Sequence, residues 1–368
     1  MKLKLTSGNH DLINTPVFFK TKEINLDAFR LIDPTQKKIL AQCRSVGDDS
    51  EREFVFVIDY LKKGESVTFG ICDANCETCE SDRTIKSTEQ DGSVNIYLNG
   101  EYFTSYYFKT DIPKPYLGPF CCEDGENITR HNYTGKEHPH HRNLWFSHGD
   151  VNGTDIWNEP ANHGFIINNK IHSVVNGAVM TSFTAENTWT HHDKTPVLND
   201  ITEITAYNTL SFMKIIDISL TLKADYCDVT LGKTKEAGPI AIRFADSIIV
   251  DNGKGTIENY YGAVNEGEVW MKRAGFNDYY GEYKNGGIYG IALFDNPDNE
   301  CYPSYWHTRN YGLMAVNNFY IGGDRLIKKG ESVKYKFRVI VHKGDTNTAR
   351  ISTMFNNYIT KPTVELVE

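Results

Sequence analysis

The sequence predicts an all-β protein, an antiparallel β-sandwich with few short helices, and three observations carry that prediction. The composition is rich in aromatic residues, with 21 Tyr and 19 Phe among 368 residues. Apolar residues alternate with polar ones at period 2 in run after run, and helical periodicity is rare. Aromatic and β-branched side chains fit a pleated, half-buried surface, whereas helical proteins draw on Leu, Ala and Lys.

Val94, Ile96 and Leu98 form one clear alternating run, and Ile218, Leu220 and Leu222 another. Ile240, Ile242 and Phe244 follow, then Val333, Tyr335, Phe337, Val339 and Val341. Gly, Asn and Asp punctuate these runs, as expected of half-buried antiparallel strands. One helix is expected between Asn347 and Tyr358, where Ile351, Met354, Phe355 and Tyr358 recur at i, i+3, i+4 and i+7. The segment Leu61-Lys-Lys-Gly-Glu-Ser-Val67 reappears as Ile327-Lys-Lys-Gly-Glu-Ser-Val333, each copy just before an alternating strand. Lys-Gly-Glu is good turn chemistry, so the repeat reads as two similar turn-to-strand transitions.

The chain is longer than the usual single domain. The polar, turn-rich stretch Ser87-Thr-Glu-Gln-Asp-Gly-Ser93 marks a boundary. Residues 1–90 are expected as an N-terminal β unit packed on the main body, and residues 91–368 as the main sandwich carrying the site. A formal net charge of −9 without a basic stripe argues against nucleic acid and anionic membrane surfaces as partners. No apolar run approaches the roughly 20 residues of a membrane span, and no signal-peptide pattern opens the sequence. A cytoplasmic location is therefore expected, with the oligomeric state, a homo-oligomer included, left open. The eight cysteines would be reduced there. Cys72, Cys76 and Cys79 have spacing that could hold a metal or an iron–sulfur cluster, but a Cys-rich loop between strands is the favoured reading.

The densest chemical segment is Glu137-His-Pro-His-His-Arg-Asn-Leu-Trp-Phe-Ser-His-Gly-Asp150. Five of the twelve histidines fall between residues 131 and 148. Imidazoles serve as metal ligands or as acids and bases near neutral pH. His140 and His141 are candidates for proton exchange, assisted by Asp150, with Arg142 on the substrate. The alternative use of the cluster is a divalent metal on His138, His140 and His148. In extended backbone His138 and His140 would share a face and His141 would oppose them, although Pro139 bends the segment.

A second segment ends in Ile240-Ala-Ile-Arg-Phe244, where Arg243 projects from the face opposite the isoleucines, beside Ala241 and Ala245. A long cation flanked by alanines suits the wall of a cleft, and Glu236 just before it is the candidate lone general base. Ordinary surface salt bridges are the competing reading of both. A third segment runs from Tyr302 to Gly312, with Trp306 as a stacking platform, His307 as a proton carrier and Arg309 as an anchor. Trp270 to Gly281 adds Lys272 and Tyr279 as substrate-binding candidates, while His191-His192 reads as surface. There is no G-x-S-x-G elbow, no phosphate-cradling Gly-rich loop and no H-E-x-x-H, which speaks against serine hydrolases and nucleotide-dependent enzymes.

At these motifs the chain resembles a bacterial family of uncharacterised domains often labelled "PmoA family". The matching stretches are Lys114-Pro-Tyr-Leu-Gly-Pro, Thr129-Arg, His138-Pro-His-His-Arg, Leu144-Trp-Phe and His148-Gly-Asp-Val-Asn-Gly. They continue with Thr234-Lys-Glu, Ala241-Ile-Arg243, Trp270 to Gly281, Asn296-Pro, Trp306-His-Thr-Arg and Tyr311-Gly-Leu, and span roughly residues 95 to 345. The resemblance implies a supersandwich of the galactose-mutarotase kind and a setting in bacterial glycan catabolism. A methane-oxygenase activity fits badly with a chain lacking a membrane span. Together these readings lead to the expectation of a carbohydrate-active enzyme, a lyase, hydrolase or epimerase working on a sugar or glycoside by His and carboxylate chemistry. The alternative is a non-catalytic sugar-binding or sensing module.

Overall fold

The computed structural model describes residues 1–47, 50–73, 84–130, 137–283 and 286–368. Within them the alternating runs are strands, and they assemble into three large antiparallel sheets. Two eight-stranded sheets face each other. The first runs, in spatial order, through Trp306–Arg309, Leu313–Val316, Ala237–Arg243, Leu144–His148, Tyr116–Leu117, Glu101–Tyr107, Ser93–Leu98 and Ile85–Gln90. The second is centred on Met213–Lys223, Ser332–Lys343 and Ile288–Asp295. Ile240, Ile242, Leu144 and Phe146 of the first meet Ile218, Leu220, Phe337 and Val339 of the second in one continuous apolar core. The expected antiparallel sandwich is therefore present.

A seven-stranded sheet is built from strands between Lys2 and Asp73 and is completed by the C-terminal strand Thr363–Val367, which pairs with Lys2–Thr6. It has its own apolar cluster around Phe29, Phe54, Phe56 and Phe69. Val55 and Val57 pack with Met213, Ile215 and Ile340 of the second sheet. The strand Ile85–Gln90, expected in the N-terminal unit, lies instead in the first eight-stranded sheet, and the last strand of the chain crosses back to residues 2–6. The expected helix is found at Ile351–Ile359. Nine residues are too few to be stable alone. Burial of Ile351, Met354 and Phe355, at roughly 2 kcal/mol each, supplies what propensity cannot. The two Lys-Lys-Gly-Glu copies are turns of one kind. Glu65 N–H donates to Lys62 O and Glu331 N–H to Lys328 O, with Gly64 and Gly330 at φ +74° and +88°.

Register in the first sheet places the site. His307 lies opposite Ala315, Ala315 opposite Ala241, and Ala241 opposite Trp145. Residues directly opposite on neighbouring strands share a face, so these four form a row across the face turned away from the core. One step along, Arg309 and Arg243 both lie opposite Leu313.

Candidate active site

The histidine segment is a turn. His141 N–H donates to His138 O at 3.0 Å, with Pro139 in the second position that its fixed φ favours. A turn brings its first and fourth residues together, so the rings of His138 and His141 stack at 4.9 Å and 8° while His140 stands edge-on to His141 at 4.5 Å. The extended arrangement, with His138 and His140 on one face, does not occur. Tyr311 stacks on the His138 ring at 5.1 Å, and Trp145 lies against His141 at 5.0 Å. Trp157 meets both His141 and Trp145 edge-on.

Arg243 enters from the neighbouring strand, fully buried. Its Nη2 donates to Glu137 Oε1 at 2.8 Å, its guanidinium faces the Tyr311 ring at 4.7 Å, and Nη1 lies 3.4 Å from His141 Nδ1. A guanidinium only donates, so His141 Nδ1 is the acceptor and the proton of the neutral ring sits on Nε2. Burial, and after it the charges of His140 and Arg243, hold the His141 pKa well below its ordinary value. His307 has the opposite tautomer. Its Nδ1 lies 2.6 Å from Lys235 O, which can only accept, so Nδ1 carries the proton and Nε2 is a bare lone pair. Burial pushes His307 down to about 4, and His140 likewise, so both are neutral at pH 7.

Behind the histidines lies an ion triad. Lys114, without solvent exposure, donates to Trp157 O at 2.9 Å and to Glu159 Oε1 at 2.7 Å. Arg142 grips Glu159 with both terminal nitrogens, one bond being 2.8 Å. Despite its burial, Glu159 is brought down to about 2 by these two cations, and burial lowers Lys114 to about 8. The triad fixes the loop that carries Trp157. On the other flank Arg309 Nε is 2.7 Å from Glu266 Oε1, and its guanidinium faces Tyr311 and Trp270.

Several buried nitrogens here have no hydrogen-bond partner among the described residues: His138 Nδ1, His140 Nε2, Trp145 Nε1, Arg243 Nε and His307 Nε2, with Arg309 Nε engaged only in its ion pair with Glu266. Buried polar atoms are nearly always paired, so unpaired ones along one face call for an explanation.

Of the residues expected from sequence, His138, His140, His141, Arg142 and Arg243 come together here, Arg309 joins them through Tyr311, and His307 lies on the same face of the sheet, three strands from Trp145. Others do not. Trp306 has no solvent exposure, donates to Ala274 O and packs in the core, so it is no stacking platform. Tyr279 is likewise core, stacked on Phe244 and hydrogen-bonded to Asn310 O. Lys272 is exposed, and its backbone bonds Val269 and Trp306. His148 lies at the far end of its strand, its Nε2 on Gly232 O, against Phe319. The trio His138, His140 and His148 therefore does not converge. Among the described residues no group of three His, Cys, Asp or Glu is placed to hold a metal ion. Cys76 and Cys79 lie outside the described residues. Asp150 binds the Gly153 N–H in a turn beside Gly232, away from the histidine turn. Glu236 contacts Lys235 and Thr234, next to the carbonyl that holds His307. His191 contacts Thr154, and His192 lies exposed beside His163.

Glu137, Glu159, Glu266, Tyr311 and Trp157 were not among the expected site residues, and Trp270 entered only as the start of its segment. Glu137 heads the histidine block, so its position was available as a signal. Glu159 and Tyr311 are joined to the site by folding alone.

Among the described residues no helix is long and apolar enough to cross a membrane. No curated protein matches the chain. It is similar to solved structures of a GH36 α-galactosidase from Geobacillus stearothermophilus in complex with raffinose (10% identity, 73% of this chain and 42% of that one, TM-score 0.34). Another is an α-galactosidase from Lactobacillus brevis (8% identity, 91% and 41%, TM-score 0.29). A third is a GalM/aldose epimerase homologue from C. elegans (9% identity, 71% and 99%, TM-score 0.24). The chain spans about two fifths of the length of the two α-galactosidases. The model of DUF6807, described as a family of unknown function and without the PmoA label, matches residues 93–356, more than half of the chain, and the protein belongs to that family.

Proposed function

We propose that the protein is a carbohydrate-active enzyme that moves a proton on a sugar or glycoside, as an epimerase or lyase, with His307 and His140 as the proton-handling groups. The observation that carries this reading is the set of unpaired buried nitrogens that includes Trp145 Nε1, Arg243 Nε and His307 Nε2 on one face of the sheet and His140 Nε2 in the turn beside it. They combine a fixed acceptor at His307 Nε2 with fixed donors at Trp145 Nε1 and Arg243 Nε. A polyol, in which each hydroxyl both donates and accepts, complements such a set. Tyr311 and His138, partly exposed beside it, are stacked on each other.

Proton transfer is favoured over hydrolysis by the state of the carboxylates. Glycoside hydrolysis of the usual kind needs two carboxyl groups across the bond, one of them protonated. Glu159 is locked by Lys114 and Arg142, and Glu137 is lowered by its bond to Arg243. Neutral histidines with a defined tautomer remain for acid–base work. The test is incubation of the purified protein in D2O with a panel of free sugars and glycosides, followed by proton NMR. Solvent deuterium should appear at one sugar carbon, and His307→Gln should lower kcat at least 100-fold with KM within threefold. Exchange that is untouched by His307→Gln and His140→Gln would falsify the assignment. Saturable binding without exchange would favour a sugar-binding module.

A further inference from the structure

We propose that the substrate carries a carboxylate, so that it is a sugar acid, and that Arg243 receives this carboxylate in place of Glu137; the proposal rests on the sugar reading above. The protein has a formal net charge of −9. Yet Lys114, Arg130, Arg142, Arg243 and Arg309 gather around the histidine turn, where Arg130 Nη1 donates to Glu137 O at 2.7 Å. After burial itself, the charges of Lys114, Arg130, Arg142 and Arg243 contribute to holding His138, His140 and His141 below the ordinary histidine range. Cations are thus concentrated at this face of an acidic molecule, each beside a carboxylate.

Four carboxylates balance these cations, Asp246 beside Arg130 at 43% exposure among them, and they differ in exposure. The side chain of Glu159 is 16% exposed, that of Glu266 27% and that of Glu137 59%. Arg243, the partner of Glu137, is 1% exposed. A buried guanidinium must keep a counter-ion, because leaving it unpaired is strongly destabilising. A carboxylate open to water surrenders its partner at little cost. The Arg243 pair thus joins a cation that requires an anion to an anion that is easily replaced.

The fork geometry points the same way. Nε–H and the Nη2–H beside it form the edge of a guanidinium that takes a carboxylate in two parallel bonds. Glu137 uses Nη2 alone, through one oxygen, and Nε has no hydrogen-bond partner among the described residues. Glu137 is a one-point occupant of a two-point receptor. A substrate carboxylate would complete both bonds, while Tyr311 holds the guanidinium plane from its side.

The test is calorimetric titration of the full chain at pH 7 with glucuronate, galacturonate, glucose, galactose and glucose 6-phosphate. At least one uronate should bind tenfold or more tightly than its parent sugar. Glu137→Gln, which leaves the buried Arg243 without its counter-ion and is therefore checked for folding by circular dichroism, removes the internal competitor and should raise the ratio of uronate to parent-sugar affinity at least threefold. Arg243→Gln, checked for folding by circular dichroism, should erase the preference. Equal affinity for uronate and parent sugar in the wild-type protein overturns this inference and leaves the sugar reading standing. Tighter binding of glucose 6-phosphate than of either uronate overturns the carboxylate and assigns the receptor to phosphate. Binding of none of the five overturns the sugar reading itself.

Discussion

At the scale of the residue, protonation follows from who donates to whom. His307 gives its only proton to the Lys235 carbonyl and keeps Nε2 bare, and burial pushes its pKa down to about 4. A base with a lowered pKa stays in its neutral, proton-accepting form as the pH falls through 6.5. The acid limb of kcat/KM is therefore expected near pH 4, not near the ordinary histidine value of about 6.5. A profile from pH 4 to 8 checks this, and a limb at 6.5 would remove His307 and His140 as the base. The histidine cluster was legible in the sequence because imidazole density beside Trp145 is a local property. Trp306 and Tyr279 were misplaced for a physical reason. Alternation separates the two faces of a strand but does not say which face is covered, and both point into the core. Glu159 and Tyr311 could not be tied to the cluster, since a salt bridge and a ring stack across the fold leave no trace in local spacing.

At the scale of the element, the strands and the helix were legible, and their neighbours were not. Period 2 gives the faces of Ala237–Arg243 and Trp306–Arg309 but not the fact that Leu313–Val316 lies between them. That order creates the row His307, Ala315, Ala241, Trp145, in which two buried alanines separate the acceptor from the donor. Both alanines are buried in the apolar cluster that Trp145, Trp157 and Leu313 form beneath the site, so small side chains let these rings pack down on the sheet. Ala315→Leu should therefore displace the rings, with turnover falling at least 100-fold and stability by about 1–3 kcal/mol as for other overpacked cores. Ala292→Leu is the control, at an equally buried alanine packed in the apolar cluster shared with the N-terminal sheet. It should cost similar stability and leave turnover within threefold. Urea unfolding and steady-state kinetics on both variants decide the matter. An equal loss of turnover in the two would mean that the row has no special part in the site.

At the scale of the whole molecule, the groups buried at the site and in the core set how folding responds to acid. His148 and His307 are lowered to about 4 by burial. Between pH 6.5 and 4 the unfolded chain takes up protons that the folded rings refuse, so their contribution to stability is lost as the pH falls. At pH 5 this amounts to on the order of 2 kcal/mol for each ring. Asp200 works in the opposite sense. It is enclosed in the sandwich, accepting from Trp189 Nε1, Asn187 and Thr202, and burial raises it to about 6. Between pH 6 and 4 the folded carboxyl binds a proton that the unfolded one does not, which offsets about 1 kcal/mol at pH 5. The histidines outweigh it, and His141, also held well below its ordinary value, adds to their side. The free energy of unfolding should thus fall by a few kcal/mol from pH 7 to pH 5. In Asp200→Asn the fall should be steeper by about 1 kcal/mol, because the opposing proton uptake is gone while the histidines are untouched. Urea midpoints for both proteins at pH 7, 6 and 5 measure this directly. A wild-type stability that rises towards pH 5 would mean that the carboxyl groups, and not the buried imidazoles, govern the acid side of the stability curve.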